Sequence, residues 1–349
     1  MTEVMHTPTR QIAGTPRLGF LGVGWIGRHR MRAIADSGAA SIAALADPCR
    51  DAIESALPSA PGAMCADGLE NLLEQDLDGI VIATPSAMHA GQAIAALERG
   101  VAVFCQKPLG RSAAETRAVV EAARRADRLL GVDFSYRLTA ARKRERASAG
   151  FAAIQRLIRS WKLGEIYAAD LVFHNAYGPD KPWFRDPALS GGGCVIDLGI
   201  HLVDLAMAAL DRPEVVEVES HLLAGGAPLR DARTQVEDYA SAMLRTKSGA
   251  SVRLACSWNL PAGRDAVISA EFYGSRGGAA LRNVEGSFFD FRAERFRGTS
   301  RETLAEPPDA WCGRAAVAWA QRLGKSRAFD PSAMELVAVA EVVDRIYGR

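Results

Sequence analysis

The segment Gly22-Val23-Gly24-Trp25-Ile26-Gly27 constrains this chain more than any other. It follows a short apolar run at 17–22 and opens a helical pattern over 25–37, with Ile26, Met31, Ala33 and Ile34 as an inward stripe. A second buried-strand run at 41–46 ends at Asp47, 20 residues after Gly27. Strand, glycine turn, helix, strand and acid in that order form a dinucleotide-binding unit. Gly22 allows the tight turn, Gly24 lets the backbone approach a pyrophosphate, and Gly27 lets the helix pack on the strand. Trp25 and Ile26 lie in the first helical turn, where free N–H groups and a partial positive charge favour phosphate. Asp47 can accept bonds from both ribose hydroxyls of an adenosine and would repel a 2′-phosphate. NAD is therefore expected over NADP, with nearby Arg50 as the one residue that could accommodate that phosphate.

Further buried-strand runs at 79–83, 101–105 and 130–135 alternate with helical stretches near 48–57, 68–76, 86–99 and 112–127. Ser112 and Glu115 form a capping box at the last of these. Continuous apolar strands separated by helices predict a parallel sheet covered on both faces. Beyond Tyr136 the pattern changes. Residues 138–163 predict one or two charged helices, the run 141–146 (ARKRER) reads as a solvated helix face, and 178–193 reads as a long loop. From 214 onward the period is nearer two, at 214–222, 239–245, 251–258, 267–273 and 289–296, which predicts an antiparallel sheet with one covered face. Helices are expected near 308–323 and 331–346. The division expected is a flexible lead-in at 1–16, a dinucleotide-binding domain at 17–135 and a larger second domain at 136–349.

Composition excludes several classes. With 349 residues, 42 Lys+Arg against 41 Asp+Glu and 48% hydrophobic residues, the chain lacks the basic excess of a nucleic-acid binder and the polarity of a disordered protein. No apolar run approaches the roughly 18 residues that span a bilayer, and the N-terminus lacks a signal-peptide core. The 6 cysteines are scattered, which suits a reducing cytoplasm.

Two more segments carry chemistry. Gln106-Lys107-Pro108 follows the fourth core strand, and ligands of parallel sheets bind beyond the carboxyl ends of strands, so Lys107 falls in the cofactor crevice. After the triple glycine 191–193 come Asp197, His201 and Asp204, which share one face of a helix amid apolar neighbours. Poor solvation there favours shifted pKa values and acid–base work.

Together the glycine loop, Thr84-Pro85 with His89, Lys107-Pro108 and the Asp197…His201 segment resemble the Gfo/Idh/MocA family of sugar oxidoreductases, from about residue 17 onward. The resemblance implies an α/β chain with an N-terminal Rossmann domain and a C-terminal α+β domain built on an open, largely antiparallel sheet. The outer face of that sheet would make a homodimer or homotetramer. It implies NAD as cofactor, a sugar, cyclitol or sugar acid as substrate, and no metal, although Asp197, His201, Asp204 and His174 could be assembled as ligands. Lys107 and His201 would handle the hydroxyl proton and Asp197 would orient the substrate. Thr84, Pro85, His89, Gln106 and Lys107 would contact the cofactor. Tyr136, Arg137, Trp183 and Arg185 are candidate substrate contacts, and Asp204 reads as packing. One departure stands out: the family usually has Glu before the lysine, and Gln106 removes that negative charge. Two alternatives are an NAD-dependent glycosidase that oxidises its substrate transiently and a dinucleotide-sensing regulator without catalysis. The retained lysine and histidine count against the regulator.

Overall fold

The structure is a computed structural model that describes residues 14–139 and 150–349. Most of the expected lead-in and the charged run 141–146 lie outside the described residues.

The first sheet is built from β1 (Arg17–Leu21), β2 (Ser41–Ala46), β3 (Met64–Cys65), β4 (Gly79–Ile82), β5 (Ala102–Cys105) and β6 (Leu130–Val132). Its order is β3-β2-β1-β4-β5-β6 and every pairing is parallel. The strand order reverses between β1 and β4, so the loops after these strands open a crevice at their carboxyl ends. β4 and β5 are buried on both faces, which explains their unbroken apolar sequences. β3 is two residues long and exposed, and it gave no hydrophobic signal.

The second sheet has nine strands: β7 (Ile166–Asn175), β8 (Val215–Ala224), β9 (Ala227–Pro228), β10 (Tyr239–Thr246), β11 (Ser251–Ser257), β12 (Ala266–Gly274), β13 (Gly277–Asn283), β14 (Phe291–Arg297) and β15 (Ser300–Ala305). Their order is β15-β14-β13-β12-β7-β11-β10-β8-β9, and only β7 and β11 run parallel. Alternation is clean on the central strands. Ala240, Ala242 and Leu244 of β10 and Val252, Leu254 and Cys256 of β11 enter the core, while Arg253 on the other face pairs with Asp170 of β7. β7, at the centre of this sheet, was not expected from the sequence. Along the chain Gly274–Gly278 reads as a turn between strands, and β13 opens inside it with two glycines. Strand pairing explains Gly277, where a Cβ would lie 2.6 Å from the Phe296 carbonyl oxygen.

The end of the chain ties the two sheets together. Helix Arg314–Leu323 returns to the first sheet, where Trp319 packs on Phe104 with ring centroids 5.7 Å apart and joins the cluster around Leu18 and Phe20. Helix Met334–Ile346 packs on helices Ala113–Ala126 and Ile200–Ala209. The loop expected at 178–193 contains two short helical turns, Pro182–Arg185 and Pro187–Ser190. The helical stretch Pro187–Ala209 is long and apolar enough to cross a membrane, and it is a buried core element of this fold.

Candidate active site

The glycine loop turns between β1 and helix Trp25–Ser37. A Cβ on Gly22 would lie 2.5 Å from the Ala83 carbonyl oxygen, and one on Gly27 would lie 2.1 Å from that of Gly22. Gly24 differs: among the described residues, no atom beyond its chain neighbours lies within 4 Å of the Cβ it would carry. Its bareness therefore keeps space for a ligand. The helix has no side-chain cap and no acid in its first turn, so among the described residues no side chain competes for its leading N–H groups. Trp25 is 63% exposed at that end. Asp47 accepts the Val23 N–H through Oδ2 and the Cys49 N–H through Oδ1, both at 2.8 Å. Those bonds aim the carboxylate, and each oxygen keeps a lone pair for a ribose hydroxyl. Arg50 is turned to Glu54 at 3.0 Å. These residues fit a dinucleotide. We expect Gly24→Ala to leave the apoprotein's melting temperature unchanged and to weaken NAD binding by about 10- to 100-fold, as overpacking costs of about 1–3 kcal/mol imply. Calorimetric titration checks this, and unchanged affinity would remove the loop from the cofactor site.

Thr84 and Pro85 link β4 to helix Ser86–Glu98. The Thr84 hydroxyl donates to Gln92 Oε1 at 2.6 Å. His89, expected at the nicotinamide pocket or as a helix-start residue, is buried and clamped between two carbonyls. Nε2 faces Thr84 at 2.7 Å and Nδ1 faces Pro108 at 2.6 Å. Neither ring nitrogen is left for a ligand, so its work is to join the ends of β4 and β5. Burial lowers its pKa, although both carbonyls favour the charged ring.

Lys107 reaches across to the second domain. Its ammonium donates to the Asp197 carbonyl at 2.7 Å and to Asp197 Oδ1 at 2.6 Å. A third N–H remains for a ligand. Trp258 Nε1 donates to the other carboxylate oxygen at 3.1 Å. Sequence reasoning missed Trp258 because it follows an ordinary strand and carries no motif.

The i, i+4, i+7 face expected for Asp197, His201 and Asp204 is interrupted. Residues Val195–Gly199 form a π-helical turn before helix Ile200–Ala209, and each side chain has its own surroundings. His201 is buried among Phe134, Tyr136 and Phe173, with Tyr136 edge-on at 4.8 Å. Its Nδ1 is buried with no hydrogen-bond partner among the described residues. Burial pushes its pKa well below 6.5, and the charges of Lys107 and Arg30 push it further. Asp204 is fully buried against Arg137, whose Nε donates to it at 2.7 Å. Burial raises the Asp204 carboxyl to about 6 against the pull of Arg137. Arg137 also reaches Glu335 at 3.4 Å. The Arg137 guanidinium, expected among the substrate contacts, ties helix Ile200–Ala209 to helix Met334–Ile346. Nor do the four possible metal ligands converge, since His174 faces Ser257 at 2.7 Å and no cluster of three such ligands occurs among the described residues.

Glu237 is a second residue the sequence did not reveal. It is fully buried, and its carboxylate accepts the N–H groups of Gly193 and Val195 and the Tyr347 hydroxyl at 2.8–3.1 Å. Burial raises its carboxyl pKa against those donors. A Cβ on Gly193 would lie 1.9 Å from the Glu237 carbonyl oxygen, so the triple glycine makes room for this cap. Trp183 stacks on Phe184 with centroids 3.8 Å apart, and Phe184 meets Trp258 edge-on. This aromatic wall leads towards Asp197. Arg185 is exposed at its rim and makes no ion pair among the described residues.

A six-stranded parallel sheet with a glycine loop and acid, joined to a mostly antiparallel sheet that closes on a lysine, defines a dinucleotide-dependent oxidoreductase. The comparisons name it further. Residues 17–134 match the model of the oxidoreductase family with NAD-binding Rossmann fold, and residues 151–280 match the family's C-terminal domain. The chain belongs to the Gfo/Idh/MocA family. A D-glucoside 3-dehydrogenase of Escherichia coli (strain K12) is 28% identical over 222 residues, 60% of this chain and 60% of that protein. This chain thus spans less than two thirds of that relative's length. Inositol 2-dehydrogenase of Rhizobium meliloti (strain 1021) is 28% identical over 272 residues, 77% of this chain and 76% of that one. Levoglucosan dehydrogenase, solved with NADH and L-sorbose, superposes with a TM-score of 0.80 at 20% identity over 96% of both chains, a likeness of fold.

Proposed function

We propose that this protein oxidises a carbinol of a sugar, cyclitol or sugar acid, or reduces the matching ketone, with NAD as cofactor and with Lys107 and His201 handling the hydroxyl proton. One observation carries the reading. A half-buried lysine on the Rossmann side is held by an aspartate of the second domain, near a buried histidine with one nitrogen unpartnered among the described residues. Gly22, Gly24 and Gly27 would hold the pyrophosphate and Asp47 the adenosine ribose. The bound nicotinamide supplies the hydride acceptor or donor. The residues do the rest. Asp197 fixes Lys107 in one rotamer, so that its free N–H can bond the reacting oxygen. His201, neutral because burial and two cations disfavour its charge, accepts the hydroxyl proton. The aromatic wall of Trp183, Phe184 and Trp258 packs on the apolar face of a sugar ring and excludes water. The same reading includes a homo-oligomer through the outer face of the second sheet, where Met243 stands exposed beside the Arg253–Asp170 pair.

The test is NADH formation with purified protein on a panel that starts with inositol, D-glucosides, levoglucosan and D-apiose. Sugar cleavage without net NADH would move the reading to the glycosidase alternative. The pH profile adds a sign. An imidazole held below its ordinary 6.5 stays neutral until the solution is more acidic than that. The acid limb of kcat/KM is therefore expected below pH 6.5, and the limb assigned to His201 should vanish in His201→Asn. A limb centred at or above 6.5 would remove His201 from proton transfer.

A further inference from the structure

The residue before Lys107 is embedded in a buried polar knot to which the proposed reaction assigns no positioning role. Gln106, at the end of β5, donates its side-chain N–H to Asp133 Oδ2. Asp133, just past β6, is 2% exposed. The same oxygen accepts Arg30 Nε, and the other accepts the Ser135 hydroxyl. Arg30 is 6% exposed on the helix that begins at the glycine loop, and its Nη2 lies 3.4 Å from Ser135 Oγ. Three elements thus meet at one carboxylate: the glycine-loop helix, the lysine loop, and the turn that leads into Tyr136.

The chemistry of this knot is restrictive. A buried carboxylate persists only when its lone pairs are matched by donors, and Asp133 has three. Gln106 can donate to it. A glutamate in place of Gln106 would bring a second carboxylate to hydrogen-bonding distance of the first, and a buried pair of that kind cannot hold both charges. An asparagine in place of Asp133 would keep one acceptor oxygen but leave Arg30 without a counter-charge. Positions 106 and 133 therefore share one negative charge between them, balanced by Arg30. In this chain the carboxylate stands at 133 and the amide at 106. Whichever position carries it, the charge fixes the backbone one residue before Lys107, and through Arg30 it links that backbone to the cofactor loop.

We propose that Asp133 and Arg30 are positioning residues for Lys107, and that Asp133 supplies from the end of β6 the single buried carboxylate that could otherwise stand at position 106. The proposal rests on Lys107 acting in the reaction described above.

The experiment is a charge-exchange cycle of Asp133→Asn, Gln106→Glu and the double variant. Turnover is read on the panel substrate that the wild type oxidises, and the Lys107 resonance is read by NMR of the 13C-dimethylated protein, assigned through Lys107→Arg. Each single variant is expected to lower kcat about 10- to 100-fold with little change in KM, and to move the Lys107 resonance. The double variant, which moves the carboxylate to position 106 and the amide to position 133, is expected to recover most of kcat and to return the resonance. Purely structural residues would lower the melting temperature while kcat per folded enzyme and the resonance stayed put, and that result overturns the proposal. So does a double variant no better than the worse single. If the wild type turns over nothing, the proposed function fails separately, and the Lys107 resonance across the cycle still decides the positioning role.

Discussion

Lys107→Met is expected to lower kcat about 100- to 10,000-fold while leaving the NAD dissociation constant within a few-fold of wild type. The range is that of a positioned proton-handling group. Methionine nearly preserves the length and packing of the lysine stem but removes all three donors. Two of those donors hold Asp197, at 2.6 and 2.7 Å, so the variant also leaves a partly buried carboxylate with Trp258 as its remaining side-chain donor. The proposed cofactor site rests chiefly on Gly24 and Asp47, which is why binding and turnover are expected to separate. NADH fluorescence titration and steady-state rates check both halves. Rates within a few-fold of wild type would end the role proposed for Lys107, and a parallel loss of NAD binding would make it a cofactor residue instead.

The second large effect concerns stability. Glu237→Ala is expected to destabilise the protein by about 3–5 kcal/mol, the combined cost of leaving several buried donors without an acceptor. Those donors are the N–H groups of Gly193 and Val195 and the Tyr347 hydroxyl, and they come from two separate elements. Glu237→Gln keeps one acceptor oxygen and should fall between alanine and wild type. Because the cap precedes the π-helical turn that carries Asp197, the loss should reach activity as well as melting temperature. Denaturant titration checks the order of the three proteins. A Glu237→Ala variant that unfolds with the wild type would mean that water takes over the cap.

Much of this enzyme could be read along the chain. The glycine loop is local: its turn, its helix start and its acid lie within one strand–helix–strand unit, and only backbone sterics and helix-end electrostatics are needed to interpret it. The parallel strands were legible because burial on both faces leaves continuous apolar runs. β10 and β11 were legible because burial on one face leaves alternation. Less legible were β3, two exposed residues with nothing to bury, and β13, whose glycines serve strand packing but read as a turn.

The sequence by itself determined the dinucleotide unit and the residue types available for proton transfer, because spacing along one or two elements decides both. Only the tertiary structure decided who meets whom. Lys107 and Asp197 are 90 positions apart, and their ion pair exists because the two sheets close on each other. With a π-helical turn before helix Ile200–Ala209, Asp197, His201 and Asp204 have three different surroundings, and a buried carboxylate 42 residues from Val195 accepts an N–H of that turn. The tie that Arg137 makes and the clamp that His89 makes were also decided by the fold, because buried charges and ring nitrogens bind whatever partner the fold brings near. The pairing of Gln106 with Asp133 has the same cause. Burial makes an unmatched charge costly, and only the folded chain decides where its match lies.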